Sequence, residues 1–240
     1  MSLPKVAIIG TNGSLGKPVL SQLSTSFKDS LQLPIIAFTH SKPTHADTEE
    51  IKWVQVEFSE SKLEDLYAKF TGIDVIIELV GPNAEFQAII EKVAAKIRPK
   101  LYLPSQFGAE LDKIDFFPGI GDSKLKHLAR LRAQNLKVVD VACGFFSEPH
   151  SYLIDVDDHV FGLDLNSKTV YYRGDPDAAF AFSSLNDIGR VIGTIVTKKD
   201  PQSIPDKVRF FSQLITPRMV KERYESVHGV QLTEVFSSSE

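Results

Sequence analysis

Apolar positions in this chain follow two alternating rhythms. Short apolar runs recur at Val6-Ala7-Ile8-Ile9, Leu33–Phe38, Asp74-Val75-Ile76-Ile77-Glu78-Leu79, Lys100–Leu103 and Val138–Ala142. Such runs predict strands buried on both faces, and Trp53–Phe58, which alternates more, predicts a further strand. Between them apolar residues recur at helical spacing. Val19, Leu20 and Leu23 form one stripe. Leu63, Leu66, Tyr67 and Phe70 form another behind a Ser61/Glu64 capping box. Phe86, Ile89, Ile90, Val93, Ala94 and Ile97 make a third, and Leu125, Leu128, Ala129 and Leu131 a fourth, in a helix expected to start near Asp122. Strands alternating with helices predict an α/β fold, a doubly wound parallel sheet covered on both faces.

Past Phe146 the rhythm breaks. Val160–Leu165 and Thr169–Tyr172 flank Asn166-Ser167-Lys168 and predict a hairpin. A helix through Val191, Ile192 and Ile195 is expected behind a cap at Asn186 or Asp187, followed by a strand over Val208–Phe211 and a helix over Pro217–Val227. The expected organisation is an α/β core over residues 1–150 and a small C-terminal lobe over 151–240, packed on the core as a single globular unit.

The most informative stretch is the end of the first run. Ile9 passes directly into Gly10-Thr11-Asn12-Gly13-Ser14-Leu15-Gly16, a G-x-x-G-x-x-G pattern that opens an amphipathic helix. Glycine admits a positive-φ turn and lets bare backbone approach a pyrophosphate. The helix that follows, expected from Ser14 or Leu15, aims free N–H groups and its positive dipole end at the phosphates. A strand before and a helix after are the context that turns this pattern into a Rossmann-like dinucleotide site. Pro18 then falls in the first helical turn, where proline is tolerated.

Composition narrows the classes. The hydrophobic share, 42% of 240 residues, is ample for one α/β core. A net charge of −4 without a basic stretch argues against a nucleic-acid partner. One cysteine, Cys143, rules out an internal disulfide and suits a reducing compartment, cytoplasmic or nuclear. The first strand starts too early to leave room for a signal peptide, and no apolar run reaches spanning length, so no membrane association is expected. The six histidines show no ligand spacing, and no metal site is expected.

At the end of the second strand, Phe38-Thr39-His40-Ser41-Lys42 lacks the carboxylate that NAD-binding folds place on the ribose. His40 and Lys42 are suited to a 2′-phosphate, which points to NADPH; the competing reading is a solvated loop. Val80-Gly81, Ser105 and Gly144 also fall just past strand ends, where parallel sheets bind ligands. Ser105 is placed to bond a nicotinamide or substrate oxygen, or simply its own turn. Phe107, Phe145, Phe146 and Tyr152 form either an aromatic substrate wall or ordinary core.

Leu103-Pro104-Ser105-Gln106-Phe107-Gly108 resembles the P-S-E-F-G segment of isoflavone-reductase-like proteins, in the NmrA-like branch of the atypical short-chain dehydrogenases. Asp122-Ser123-Lys124-Leu125-Lys126 is similar to their lysine-bearing helix, Cys143-Gly144-Phe145-Phe146 to their pocket wall, and Ser184–Gly189 to a further marker. The resemblance spans about the first 200 residues in motif order. It implies an NADP(H)-binding core, a C-terminal substrate lobe, and Lys124 as the catalytic acid/base that replaces the Tyr-x-x-x-Lys pair, which is missing here. Two departures stand out: Gln106 replaces the usual glutamate, and the chain ends at Glu240 where relatives continue.

Two functions follow from this resemblance. One is an NADPH-dependent reductase of a small apolar, aromatic or carbonyl-bearing molecule. The other is a non-catalytic NmrA-type NAD(P) sensor acting through a protein partner; the fold hosts both. Lys124 is expected in the first helical turn behind Asp122 or Ser123, at the edge of the packed face, where the dipole disfavours its charge.

Overall fold

A computed structural model of the chain describes residues 2–114, 120–148 and 162–237. In chain order the elements are β1 (Lys5–Ile9), α1 (Gly16–Thr25), β2 (Gln32–Thr39), β3 (Ile51–Gln55), α2 (Leu63–Phe70), β4 (Val75–Glu78), α3 (Ala84–Ile97), β5 (Leu101–Leu103), α4 (Ile120–Ala133) and β6 (Asp140–Ala142). There follow β7 (Phe145–Phe146), β8 (Gly162–Asp164), β9 (Thr169–Arg173), β10 (Phe180–Ser183), α5 (Leu185–Val196), β11 (Lys207–Arg209), β12 (Gln213–Ile215), α6 (Pro217–His228) and β13 (Thr233–Ser237). They group into two compact units. The first comprises Met1–Ala142 and Leu185–Arg209, the second Cys143–Ser184 and Phe210–Glu240. Residues 185–209, late in the chain, thus fold with the first unit.

The first unit is built on a parallel sheet in the order β3-β2-β1-β4-β5. Ile8 lies opposite both Ala37 of β2 and Ile77 of β4, and Ile76 opposite Tyr102 of β5. The unbroken apolar runs are explained by this register. Val6, Ala7, Ile8, Ile76 and Ile77 are almost wholly enclosed, because helices cover both faces. Burying a side chain of this size stabilises by roughly 1.5–3 kcal/mol. On one face, Leu66 and Phe70 of α2, Ile90 and Val93 of α3 and Leu128 and Leu131 of α4 form a single core, with the Phe38 ring stacked 4.2 Å from Phe70.

The sixth apolar run changes partner partway. Val138 bridges Tyr102 of β5, while Asp140–Ala142 pairs in parallel with β11. Four helix starts differ from those expected from sequence, that of α4 because the helix is already formed at Ile120. α1 begins at Gly16, past Ser14 and Leu15, which leaves Pro18 as its third residue. A 3-10 turn, Glu60–Lys62, precedes α2, so Ser61 does not cap it; its hydroxyl lies 3.2 Å from that of Ser59. α5 begins at Leu185, which places Asn186 and Asp187 inside its first turn rather than at its cap.

In the second unit, β12-β10-β7 and β13-β9-β8 form two three-stranded sheets. The expected hairpin is present as β8 and β9, with Asp164 paired to Thr169. Asp164 holds its turn by accepting from Asn166 N, Ser167 N and Ser167 Oγ. Leu163, Val170, Tyr172 and Leu232 make a small core. α6 is capped by Thr216, which accepts from Met219 N, and ends at Gly229, whose φ of 64° suits a left-handed cap.

On the other face of the first unit, α1 packs on α5 through Gly189 and Gly193. A Cβ at Gly189 would stand 3.1 Å from the Pro18 carbonyl oxygen, and one at Gly193 would enter the Phe27 ring. Gly189→Val should therefore overpack this contact and destabilise the fold by ~1–3 kcal/mol, more than the helix-propensity gain of up to ~1 kcal/mol. Urea denaturation measures it; an unchanged midpoint would show that the helices can separate at no cost.

Candidate functional site: a cleft at the strand ends and the helix beside it

Two of the three glycines in the turn answer to steric demands. Gly10 has a φ of 90°, and a Cβ there would lie 2.7 Å from the Leu79 carbonyl oxygen. Gly16 starts α1 against the Gly10 carbonyl and the Thr11 backbone, leaving no room for a side chain. Gly13 is different: its amide donates to Gly10 O at 3.2 Å, and a Cβ there would meet nothing closer than 3.4 Å. Its bare backbone faces open space.

That space is a cleft of about 550 Å³ at the carboxyl edge of β1, β2 and β4. Gly10, Thr11, Asn12, Gly13, His40 and Val80 line it, as the sequence suggested. Glu57, Phe58, Asn83, Glu85 and Phe86 line it as well, and these were not foreseen. Ser14, Leu15, Gly16, Lys42 and Gly81 do not: Leu15 and Gly16 are packed inward, while Ser14, Lys42 and Gly81 are exposed beside it. The Thr11 hydroxyl is buried and has no hydrogen-bond partner among the described residues. No side chain caps α1, and no acid stands in its first turn. An uncapped helix start, an open glycine and an unpartnered hydroxyl fit an anionic group such as a pyrophosphate.

The turn after β5 carries Ser105, half-buried, then Gln106 and Phe107, both buried. Gln106 Nε2 donates to the Lys124 carbonyl at 2.9 Å, and Lys124 Nζ donates back to the Gln106 carbonyl at 3.4 Å. α4 is already formed at Ile120, so neither Asp122 nor Ser123 caps it, and Lys124, half-buried, lies beyond the first turn. The dipole penalty expected for its charge is correspondingly weaker. Lys126 is exposed. Ala129, expected on the packed face, is exposed, and His127 takes its place among the buried residues. Phe145 and Phe146 belong to the second unit, where they pair with β10 and the Phe145 ring lies 5.5 Å from that of Phe182. Tyr152 lies outside the described residues.

Sequence reasoning also missed a chain of buried ions. His127 Nε2 lies 2.9 Å from Glu78 Oε2, and its Nδ1 lies 2.6 Å from Glu91 Oε1. Tyr102 donates its hydroxyl to Glu78 at 2.8 Å, and Arg130 donates Nε to both Glu91 oxygens. Each ring nitrogen faces a carboxylate, so both carry protons and the ring is an imidazolium. Burial opposes that charge, but the hydrogen bonds the ring donates to Glu78 and Glu91 outweigh it and hold His127 up at about 9. Burial likewise pushes the Glu91 carboxyl up, and its bonds to His127 and Arg130 outweigh it and keep it low. The Tyr102 phenol is driven well above its usual range by burial and by Glu78.

A parallel sheet in this order, with a glycine turn at β1 and a cleft at its switch point, defines the Rossmann-like class of α/β fold. Among solved structures the same fold is seen in an isoflavone reductase, at a TM-score of 0.79 and 18% identity over 99% of this chain and 80% of that one. It is seen again in leucoanthocyanidin reductase from Vitis vinifera bound to NADPH (TM-score 0.75, 17% identity, 98% and 78% covered). A third structure, AtPrR2 with NADP+ and (+)-pinoresinol, matches at a TM-score of 0.71 and 15% identity, with 99% and 80% covered. No family model and no curated protein matches the chain. No helix among the described residues is long and apolar enough to cross a membrane.

The buried imidazolium makes stability depend on pH. A folded value near 9 against about 6.5 unfolded means the folded state holds the proton more tightly. The His127 contribution is full below pH ~6.5 and is lost as pH rises to about 9, by at most ~3 kcal/mol. Urea midpoints of wild type should fall across that window and those of His127→Gln should fall much less. Parallel profiles for the two proteins would rule out a charged His127.

Proposed function

We propose that the chain is an NADPH-dependent oxidoreductase that reduces a small apolar compound, aromatic or carbonyl-bearing, with Lys124 as its proton-handling residue. The observation that carries this reading is the cleft at the glycine turn. Its open Gly13, unpartnered Thr11 hydroxyl and uncapped α1 suit a pyrophosphate, and its β2 rim offers His40 with no carboxylate from Thr39 to Lys42. The NADPH and NADP+ complexes among the structural neighbours support the same cofactor.

In this reading Thr11, Asn12 and Gly13 hold the pyrophosphate, Val80 borders the cofactor, and His40 with the nearby Lys42 meets the 2′-phosphate. The bound cofactor would supply the hydride. Lys124 Nζ gives up or takes the accompanying proton. Its carbonyl contact with Gln106 fixes the helix next to the turn that carries Ser105, which orients a polar substrate group.

Fluorescence titration should show tighter binding of NADPH than of NADH. The double variant His40→Ala with Lys42→Ala should lose that preference, at a cost of roughly 1.5–3 kcal/mol toward NADPH alone. Equal wild-type affinities would reject the cofactor assignment.

For catalysis, the panel is aromatic enones, quinones and lignan-like alkenes. On any compound that turns over, Lys124→Ala should lower kcat by ~10²–10⁴ with NADPH binding nearly retained, while Lys126→Ala should do little. Wild-type-like turnover by Lys124→Ala would refute its role. Binding of NADPH without reduction of any compound would replace the enzyme by the sensor.

A further inference from the structure

A buried ion cluster needs a reason, because desolvating the three charges of Glu78, His127 and Glu91 costs free energy that apolar packing would not. Glu78, His127, Glu91 and Arg130 are joined by short hydrogen bonds, and Tyr102 adds a donor to Glu78. The elements they join are telling. Glu78 ends β4 two residues ahead of Val80, a wall of the cleft. Glu91 sits on α3, whose first turn supplies Glu85 and Phe86 to the same cleft. His127 sits on α4 three residues after Lys124, on the adjacent turn of the helix.

One side chain therefore ties the helix of Lys124 to both elements that form the β4 side of the cleft. We propose that His127 is a positioning residue: bridged between Glu78 and Glu91, it sets the rotation of α4 and so holds Lys124 against the Gln106 carbonyl. This rests on the reading of Lys124 as the proton-handling group. A neutral imidazole has one N–H and could not donate to both carboxylates at once, and a glutamine has its two N–H donors on a single nitrogen and carries no charge. Ser123 adds a weaker tie on the same face, donating Oγ to Gln87 Oε1 of α3 at 3.2 Å. With the two ring bonds in place, α4 cannot turn about its axis without breaking a buried charge-assisted hydrogen bond.

The test reads Lys124 directly. Trace acetylation of the full chain with acetic anhydride at neutral pH, followed by mass spectrometry, gives the labelling ratio of Lys124 to the exposed Lys126. Wild type is compared with His127→Gln, with Glu91→Ala and with Tyr102→Phe. Glu91 lies nearer the surface, so Glu91→Ala serves where His127→Gln fails to fold. The expected result is a severalfold rise in the ratio in His127→Gln and Glu91→Ala, and a near-wild-type ratio in Tyr102→Phe, which leaves both ring bonds intact. A ratio unmoved in all variants, or raised equally in Tyr102→Phe, would make the cluster merely structural and overturn the proposal. NADPH titration of wild type is scored separately. Its failure would remove the oxidoreductase reading while the labelling ratio still decides the role of His127.

Discussion

The carboxyl edge of the sheet depends on how closely α1 can start against the end of β1. That start leaves no room for a Cβ at Gly16, whose α-carbon sits over the Gly10 carbonyl. Gly10 in turn must adopt a positive φ to clear Leu79. Only with both contacts satisfied does the chain reverse tightly enough to leave Gly13 facing open space and the α1 N-terminus uncapped. The cleft is thus a consequence of backbone sterics before any side chain enters it. Its chemistry is then set by what the neighbouring strands deliver at the same height: His40 from β2, Glu57 after β3 and Val80 after β4.

The ion cluster works under the opposite constraint. It is built from groups that resist burial, and it is tolerable because each has a partner: two carboxylates around one imidazolium, with the Tyr102 phenol sharing the Glu78 oxygen that faces His127 and Arg130 donating to both Glu91 oxygens. Removing His127 would leave the buried Glu78 with only the neutral Tyr102 hydroxyl and no opposite charge, which costs more than the intact cluster contributes. Such a cluster resists sliding in a way an apolar seam does not. Leucines on α4 can repack at small cost, whereas a carboxylate displaced from a hydrogen bond cannot.

The β-α alternation of the first unit was legible because burial on both faces writes itself as unbroken apolar runs, as in β1 and β4. The glycine turn was legible because at Gly10 and Gly16 the steric demands admit one residue type. Helix starts were not: Ser61 and Glu64 match a capping box, yet a 3-10 turn at Glu60–Lys62 intervenes. The short strands β7, β10, β12 and β13 of the second unit carry too few residues for a period to show. The ion cluster was hidden for a different reason. Its bonds span 24, 36 and 49 residues, so no local spacing reveals them. The only trace was Glu78 inside an otherwise apolar strand, with His127 at a position of α4 where an apolar residue would keep the stripe.

The departure at Gln106 also gains a physical account. A glutamate at this position could not donate to a carbonyl, whereas the glutamine amide does, at 2.9 Å to the backbone of Lys124. The side chain is buried, so a carboxylate there would have been desolvated beside a carbonyl oxygen that repels it. In this chain the turn after β5 grips α4 with neutral groups, through a reciprocal pair in which the glutamine donates to the lysine carbonyl and the lysine ammonium to the glutamine carbonyl. Three residues further on, negative charge from Glu78 and Glu91 around His127 anchors the same helix.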